Sequence, residues 1–329
     1  MLADIYEPLE QQRVAAVKSA WKARALTLLL VPMVFLPVAA LIFTMTYEQF
    51  SGMLADLAVR AIPWLQDRIN MVMVALIGWV IGGLWLVGKY YQKHVRQPIW
   101  AYISQYKTRV FEQLCNKHFP DLRYDANGYI GYDTFDGMQL FNYQSDWYRS
   151  EDYFGGQHGK TRIHFAEVHA KRERKRLQDG RIHKYDETFF KGLVFVADFH
   201  KHFHCTARLV PTGEKVPRIR SQASVTFEDP DFNERFKTLA SDQTDIRYIL
   251  STSMMQRMMR LDAQFPGLRA MFSNDRLTLM LPNARDRFEP SIYKRANSIP
   301  QIEGLVKEIQ ELINVVEELD LNTRIWSKS

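Results

Sequence analysis

Two long uncharged runs near the N-terminus stand out in the pattern of hydrophobic and polar positions. They span residues 25–47 and 69–88, and Arg68 and Lys89 flank the second run. A bilayer core about 30 Å thick needs about 20 mostly apolar residues in a helix that rises about 1.5 Å per residue. Both runs are long enough, so the sequence predicts a two-helix transmembrane hairpin within residues 25–96.

The basic residues around the two runs predict the orientation of this hairpin. Arg13, Lys18, Lys22 and Arg24 precede the first run, and the loop between the runs has only Arg60 and Arg68. The basic residues that follow the second run are Lys89, Lys93, Arg96, Lys107 and Arg109. Short segments rich in Lys and Arg stay on the cytoplasmic side. We therefore expect a multi-pass protein of the bacterial inner membrane with both termini in the cytoplasm. A cleaved signal peptide is the alternative, but the first run is longer than a signal sequence needs.

Two smaller patterns lie within the hairpin. In the loop at 48–68, apolar residues recur at helical spacing before Pro63, which predicts a short amphipathic helix on the outer surface. The second run contains Gly78 and Gly82 four positions apart. Small residues at this spacing let helix backbones approach closely in lipid. We expect them to pack the two spans together, and dimerisation is the alternative.

The polar remainder, residues 97–329, begins with helical periodicity at 98–114 and continues with patterns typical of strands. Strands are expected at 129–132 and 139–143, a loop at 151–159, and a long hairpin whose arms are 161–178 and 181–199. Asp179-Gly180 is a turn signal between those arms. The run 189–199 is apolar throughout and predicts a central strand of the core. Further strands fit 206–211 and 224–227.

Helical signals dominate the last third of the chain. Asp231 and Glu234 have the spacing of a capping box, and Asp242 precedes a second periodic segment that extends to Leu261. A short hairpin is expected at 268–281 and a long amphipathic helix at 299–319. Strands followed by helices predict an α+β domain with a mainly antiparallel sheet and flanking helices. The predicted divisions are an N-terminal segment at 1–24, the membrane hairpin at 25–96 and a cytoplasmic domain at 97–329.

Several segments resemble a known family. They are FKGLVFVADF at 190–199, SDQ at 241–243, RYIL at 247–250 and FEP at 288–290. The chain is similar over about residues 105–326 to a bacterial family of two-span membrane proteins of unknown function, sometimes mislabelled galanin. The resemblance implies the two-span architecture and supplies no catalytic residues. The chain departs from the family pattern at His200, where a polar residue such as Asn is expected.

Composition narrows the function without identifying it. The net charge of +6 over 329 residues is mild, and the two cysteines, Cys115 and Cys205, have no metal or redox spacing. The sequence has no GxSxG, no Walker-type glycine loop and no HExxH. We therefore expect no cofactor, and the sequence leans against an enzyme.

A row of histidines is the first candidate site. His200, His202 and His204 alternate, so in an extended segment the three imidazoles would share one face. Three histidines could bind zinc. However, neighbouring residues on one face of a strand are about 7 Å apart, and no fourth ligand lies nearby in sequence. We favour a surface row of histidines without a metal.

A cluster of basic residues near the turn of the long hairpin is the second candidate site. It consists of Lys171, Arg172, Arg174, Lys175, Arg176 and Arg181. A projecting basic tip could contact anionic lipid headgroups or an acidic protein partner, or could serve solubility alone. Nucleic acid is disfavoured because no aromatic residues for base stacking are interleaved.

Two function hypotheses follow from these observations. The first is a membrane-anchored scaffold or adaptor whose cytoplasmic domain binds a protein partner, the membrane surface or a second copy of the chain. The alternative is a membrane-bound enzyme or small-ligand sensor with a cleft beside the central strand at 189–199. Convergent polar groups with displaced pKa values in a deep cleft would favour the alternative.

Overall fold

The computed structural model describes residues 3–50, 63–178, 181–199, 203–283 and 285–321. The chain divides into two compact units, one of Met1–Tyr106 with Ser291–Asn297 and the other of Lys107–Pro290 with Ser298–Ser329. The predicted limits of the membrane hairpin at 25 and 96 refer to the bilayer rather than to contacts within the chain. Those limits stay predictions.

The first unit is helical. It contains α1 (Ala3–Phe50), α2 (Pro63–Tyr91), a π-helical turn (Gln92–Arg96) and α3 (Gln97–Tyr106). Helix α1 is continuous through Pro8, Pro32 and Pro37, so the expected N-terminal helix and the first apolar run form one element. The expected amphipathic helix of the connecting loop lies largely outside the described residues.

Polar contacts near the N-terminus join distant parts of the first unit. The Ser19 hydroxyl donates to the carbonyl of His94 over 2.7 Å, and the Arg13 guanidinium donates to the carbonyl of Ile292 over 2.9 Å. Ala20, Ala23 and Val95 are buried together beside these contacts. Small side chains let the helices approach closely. The Arg13 hydrogen bond fixes the 291–297 segment against α1, and the Ser19 hydrogen bond fixes the π-helical turn against the same helix.

The second unit is built on a nine-stranded sheet in which every pair is antiparallel, in the order β1-β2-β3-β4-β9-β8-β5-β7-β6. The α+β prediction is therefore confirmed. The strands are β1 (Leu122–Asp125), β2 (Trp147–His158), β3 (Thr161–Gln178), β4 (Arg181–Asp198), β5 (Ala207–Pro211), β6 (Ala223–Val225), β7 (Phe236–Ala240), β8 (Arg269–Ser273) and β9 (Arg276–Pro282).

Helices cover parts of this sheet. After a π-helical turn (Lys107–Phe111) they are α4 (Glu112–His118), α5 (Tyr132–Gly137), α6 (Pro230–Arg235), α7 (Gln243–Ile249), α8 (Thr252–Gln264) and α9 (Ile299–Glu318). The sequence predicted α9 closely because its apolar stripe has a strict helical period. The segment from Asp242 to Leu261 forms two helices rather than one, and Asp242 caps the first by accepting from Thr244 and Asp245 N–H groups.

The long hairpin and its central strand are confirmed. Strands β3 and β4 pair from Ile163 and Ala197 to Gln178 and Arg181, and β4 lies between β3 and β9. The residues Leu193 to Ala197 are all buried. A continuous apolar run is what a strand covered on both faces requires.

Strand β2 contradicts the prediction of a loop at 151–159. The glycines of the segment EDYFGGQHG predict a loop, yet residues 151–158 lie in the sheet between β1 and β3. A Cβ at Gly156 would collide with the carbonyl oxygen of Asp121, so glycine is needed for β1 to pair with β2. Glycine inside a strand often marks such a close backbone approach.

The strands predicted at 129–132 and 139–143 are also wrong. Residues 132–137 form α5, and Leu140 and Phe141 lie in irregular chain. Their side chains are buried on the sheet against Val168, Val194 and neighbouring residues. Short apolar runs do not distinguish a strand from chain that covers a sheet, because both bury the same side chains.

The predicted capping box at Asp231 and Glu234 is wrong by two positions. The residue that caps α6 is Asp229, whose carboxylate accepts the N–H of Phe232, with Pro230 in the first turn. A proline at the first helical position has no N–H to satisfy, which makes the residue before it the natural cap. Strand β7, which directly follows α6, was not predicted.

Candidate functional site

The outer half of the long hairpin extends beyond the rest of the sheet. Strand β2 pairs with β3 only as far as Lys171, and β9 pairs with β4 only from Gly192 onward. A register shift between Ala170 and Lys171 marks the point where the paired strands continue alone. The seven residues of β3 beyond Lys171 give this two-stranded ribbon a length of about 23 Å at about 3.3 Å per residue.

The base of the ribbon is held by ion pairs that use part of its basic charge. Glu187 accepts from Arg172 over 2.6 Å and from Arg174 over 2.7 Å. The Arg172 guanidinium also lies 3.6 Å from the centre of the Tyr143 ring, and the Lys171 ammonium lies 4.6 Å from the centre of the Trp147 ring. A lone hairpin is marginally stable in water, and these contacts stabilise it.

The end of the ribbon combines charge with exposed aliphatic side chains. Leu177 and Ile182 are directly opposite each other, and their exposed fractions are 73% and 68%. Lys175 and Lys184 form the next pair on the same face, since side chains two positions apart along a strand point the same way. Within the described part of the chain, Lys175, Arg176 and Arg181 form no ion pair.

A second group of charges is buried inside the second unit, Lys107–Pro290 with Ser298–Ser329, which we call the sheet domain. The Lys107 ammonium donates to Asp152 over 2.6 Å and lies 2.8 Å from a carboxylate oxygen of Glu289 and 3.9 Å from one of Glu151. The Tyr124 hydroxyl donates to the other oxygen of Asp152 over 2.5 Å. Lys107 and Asp152 are buried, and the side chain of Asp152 has no solvent exposure.

Irregular backbone at three places brings these charges together. Lys107 begins a π-helical turn, which rotates it relative to the regular helix before it. Asp152 lies at a bulge in β2 with a φ of 56°, so its side chain turns inward where a regular strand would not place it. Glu289 follows Phe288, whose ring packs against Phe111 and Phe154.

The buried carboxyl groups have displaced pKa values. Burial raises the pKa of Asp152 to about 6, while the ion pair and hydrogen bond from Lys107 and the hydrogen bond from Tyr124 act in the opposite direction. Burial raises the pKa of Glu167 to about 8, although the backbone N–H of Arg287 donates to its ionised form over 2.7 Å. Burial also raises the pKa of Tyr124. Removal from water disfavours the charged form of each group.

This buried network holds its own cation. Glu151, Asp152 and Glu289 offer oxygens within 4.8 Å of one another, a spacing that suits a metal ion. The Lys107 ammonium lies among those oxygens and brings the positive charge that a metal would supply. Its three N–H donors match the carboxylates that surround it. The residues present therefore fit a structural ion network better than a metal centre.

A family model described as "Protein of unknown function (DUF3137)" matches residues 188–321. The resemblance to a family of unknown function is confirmed. The matched segment contains β4 from Thr188 onward, the strands that follow it and the Phe288-Glu289-Pro290 motif. Comparison with curated proteins finds no match.

Among solved structures, the chain is similar to one titled "crystal structure of the mycobacterial trehalose monomycolate transport factor A, TtfA". The identity is 9%, the alignment covers 63% of this chain and 96% of that chain, and the TM-score is 0.31. Similarity at this level assigns neither a fold nor a function to this chain.

Two helical stretches, Tyr6–Ala39 and Val74–His118, are long and apolar enough to cross a membrane by length and composition. The structure places Gly83, rather than Gly78 or Gly82, against the other helix. A Cβ at Gly83 would lie 2.7 Å from a methyl carbon of Val34, whereas a Cβ at Gly78 or Gly82 would meet nothing within 4 Å. A helix-packing role for Gly78 and Gly82 stays a prediction.

Of the histidine row, His200 and His202 lie outside the described residues. The backbone N–H of His204 donates to Asp245 over 3.2 Å, and its side chain is exposed. The buried network, in contrast, was not predicted as a site. In the sequence, Glu289 stands out only as part of a motif and Lys107 only as one of the basic residues that follow the second apolar run. Two features of the sequence could have pointed to the network. One is a lysine, Lys107, one helical turn before Val110-Phe111, and the other is an aspartate, Asp152, within a strand rich in aromatic residues.

Proposed function

We propose that the chain is an adaptor anchored in the bacterial inner membrane by two spans, with both termini in the cytoplasm. The two apolar helices and the basic residues that flank them support this arrangement. In this proposal residues 97–329 form the cytoplasmic domain, and the adaptor role belongs to the outer half of the hairpin β3–β4.

The partner that best suits this hairpin is the anionic surface of a membrane. The observation that carries the proposal is the exposed pair Leu177 and Ile182 beside Lys175 and Lys184 at the end of the ribbon. Aliphatic side chains that enter the headgroup region gain about 0.8 kcal/mol per buried CH₂. Basic residues beside them add about 1 kcal/mol each near anionic lipid. A charged hairpin end that served solubility alone would not need an exposed aliphatic pair.

The proposal can be tested with the full chain in nanodiscs of neutral phosphatidylcholine. We expect these particles to float with added vesicles that contain phosphatidylglycerol and not with neutral vesicles. The binding should weaken as salt rises, because the attraction acts within a Debye length of about 8–10 Å. The variants Leu177→Ser with Ile182→Ser, and Lys175→Ser with Arg176→Ser and Arg181→Ser, should each reduce flotation.

A matched control removes the same charge elsewhere. Lys117, Arg123 and Lys307 are exposed, and changing all three to Ser should leave flotation unchanged. Equal binding by the parent and the hairpin variants would contradict lipid contact at this surface. Retained capture of an acidic protein by those same particles, without vesicle binding, would instead indicate a protein partner.

A further inference from the structure

A cleft of about 950 Å³ opens beside β5, under the loop at 212–222. It is distant in the sheet order from the central strand 189–199, beside which the sequence suggested a cleft. The loop leaves β5 through a turn in which Glu214 N–H donates to the carbonyl of Pro211 over 3.1 Å, with Gly213 at a φ of 88°. The loop then returns across the sheet to β6.

A buried arginine forms the inner wall of this cleft. Arg208 lies on β5, lines the cleft, and is 1% exposed. Its guanidinium donates to three neutral oxygens, namely the Gln222 side chain over 2.7 Å and the carbonyls of Gln139 over 2.6 Å and Pro217 over 2.9 Å. These bonds orient the guanidinium without neutralising it, because an uncharged oxygen carries only a partial charge.

The neighbouring arginine shows what Arg208 lacks. Arg269 is also buried, but it lies 3.1 Å from a carboxylate oxygen of Glu214 and its guanidinium is 4.3 Å from the centre of the Phe141 ring. Within the described residues, Arg208 has no carboxylate partner. An uncompensated buried charge is costly, and burial lowers the pKa of Arg208 accordingly. The Arg208 guanidinium has five N–H groups, and three of them donate to the oxygens of Gln222, Gln139 and Pro217. Two N–H groups remain for a ligand.

The mouth of the cleft adds more positive charge. Lys215, Arg218, Arg220 and Lys237 line it and are exposed, and none forms an ion pair in the part of the chain that the structure describes. The acidic residue of the lining is Glu214, which is already paired with Arg269. A concave surface with charges of one sign concentrates counter-ions. Val216, Ile219 and Leu239 supply apolar wall between these cations.

We propose that this cleft binds a small molecule that carries phosphate groups on an organic body. Arg208 meets a phosphate through the planar fork of its guanidinium, which suits oxygen pairs better than a point charge does. The cations at the mouth neutralise further negative charge, and the apolar wall packs against the organic part. This site goes beyond the adaptor role of the hairpin, with which it shares no residue.

Calorimetric titration of the full chain in phosphatidylcholine nanodiscs tests the proposal. The probes are inorganic phosphate, pyrophosphate and dihexanoyl phosphatidylglycerol. We expect pyrophosphate to bind more tightly than phosphate, with a Kd for pyrophosphate of about 1 mM or below. The triple change Lys215→Ser, Arg218→Ser and Arg220→Ser should weaken binding by roughly tenfold or more, since each contact is charge-assisted. Arg208 stays unchanged, because its loss would remove the hydrogen bonds that hold the loop.

The control removes three basic residues from the hairpin instead, by Lys175→Ser, Arg176→Ser and Arg181→Ser. It should bind pyrophosphate like the parent, and so separates this site from the hairpin proposal. The chain could instead bind the lipid probe and not pyrophosphate. If the cleft variant loses that lipid binding, the result would support phosphate recognition and identify a lipid headgroup as the source of the phosphate. No heat with any probe, or equal weakening in both triple variants, would overturn the proposal.

Discussion

Lys107 and Asp152 form an ion pair at 2.6 Å with both side chains shielded from water. Removing one partner of such a pair leaves the other charge buried and uncompensated, which typically costs about 3–5 kcal/mol. We therefore expect Lys107→Met to lower the free energy of unfolding of the sheet domain by about that amount. Chemical denaturation followed by circular dichroism measures the change.

A double variant distinguishes the free-energy cost of leaving a buried charge unpaired from the cost of losing packing at Lys107. Lys107→Met with Asp152→Asn leaves less negative charge unbalanced, so the double variant should be more stable than the two single losses predict when added. Strict additivity of the two losses would show that the pair does not couple the π-helical turn to the bulge of β2.

The pH dependence of stability should reveal Glu167. Its pKa is raised from 4.5 to about 8 in the folded chain, so between these values the folded state holds a proton that the unfolded state has released. The stability contributed by this group is therefore complete below about pH 4.5 and is lost as pH rises toward about 8.

The comparison variant for this prediction is Glu167→Gln, which cannot release the proton. Relative to that variant, the parent chain should lose stability steadily as pH rises through the same window, as thermal unfolding at a series of pH values would measure. Parallel curves for the two proteins would mean that the Glu167 carboxyl titrates normally.

Strand β2 also explains what the sequence could and could not predict. The hairpin β3–β4 was predictable because its alternation and its apolar run are local patterns. Gly155 and Gly156 suggest a loop, whereas the role of Gly156 is a close approach to β1, a partner about 35 positions earlier in the chain. The buried network was not predictable for the same reason, since Lys107 and Asp152 are 45 positions apart and come into contact only in the folded sheet. Such contacts leave no periodic signal.

Gly156 offers a direct test of that close approach. A methyl group there would collide with the backbone of Asp121 and Leu122, which cannot move away without breaking the pairing of β1 with β2. We expect Gly156→Ala to destabilise the sheet domain by about 2–4 kcal/mol. Gly137→Ala is the matched control, because a Cβ at that position meets nothing within 4 Å. Equal unfolding midpoints for both variants would contradict this account of β2.

The first unit makes a similar distinction between two glycines of α2. Gly83→Ile should lower the thermal stability of the detergent-solubilised chain, because the new side chain would overlap Val34 of α1. A Cβ at Gly78 meets no atom of the same chain within 4 Å, so Gly78→Ile should leave the thermal stability of the chain unchanged. If Gly78→Ile also leaves the oligomeric state unchanged in cross-linking, dimerisation through Gly78 and Gly82 is excluded. A shift from dimer to monomer would assign those two glycines to a contact between chains.

The orientation of the two spans is open to a reporter experiment on whole cells. The basic residues that flank the apolar runs predict that both termini lie in the cytoplasm, since Lys and Arg next to a span resist export. A reporter enzyme that works only outside the inner membrane should therefore be silent when fused after Ser329 and active when inserted near Ser51. The sheet domain and its basic hairpin would then face the anionic cytoplasmic leaflet. The reverse pattern would place the hairpin outside the cell membrane and remove that leaflet as its partner.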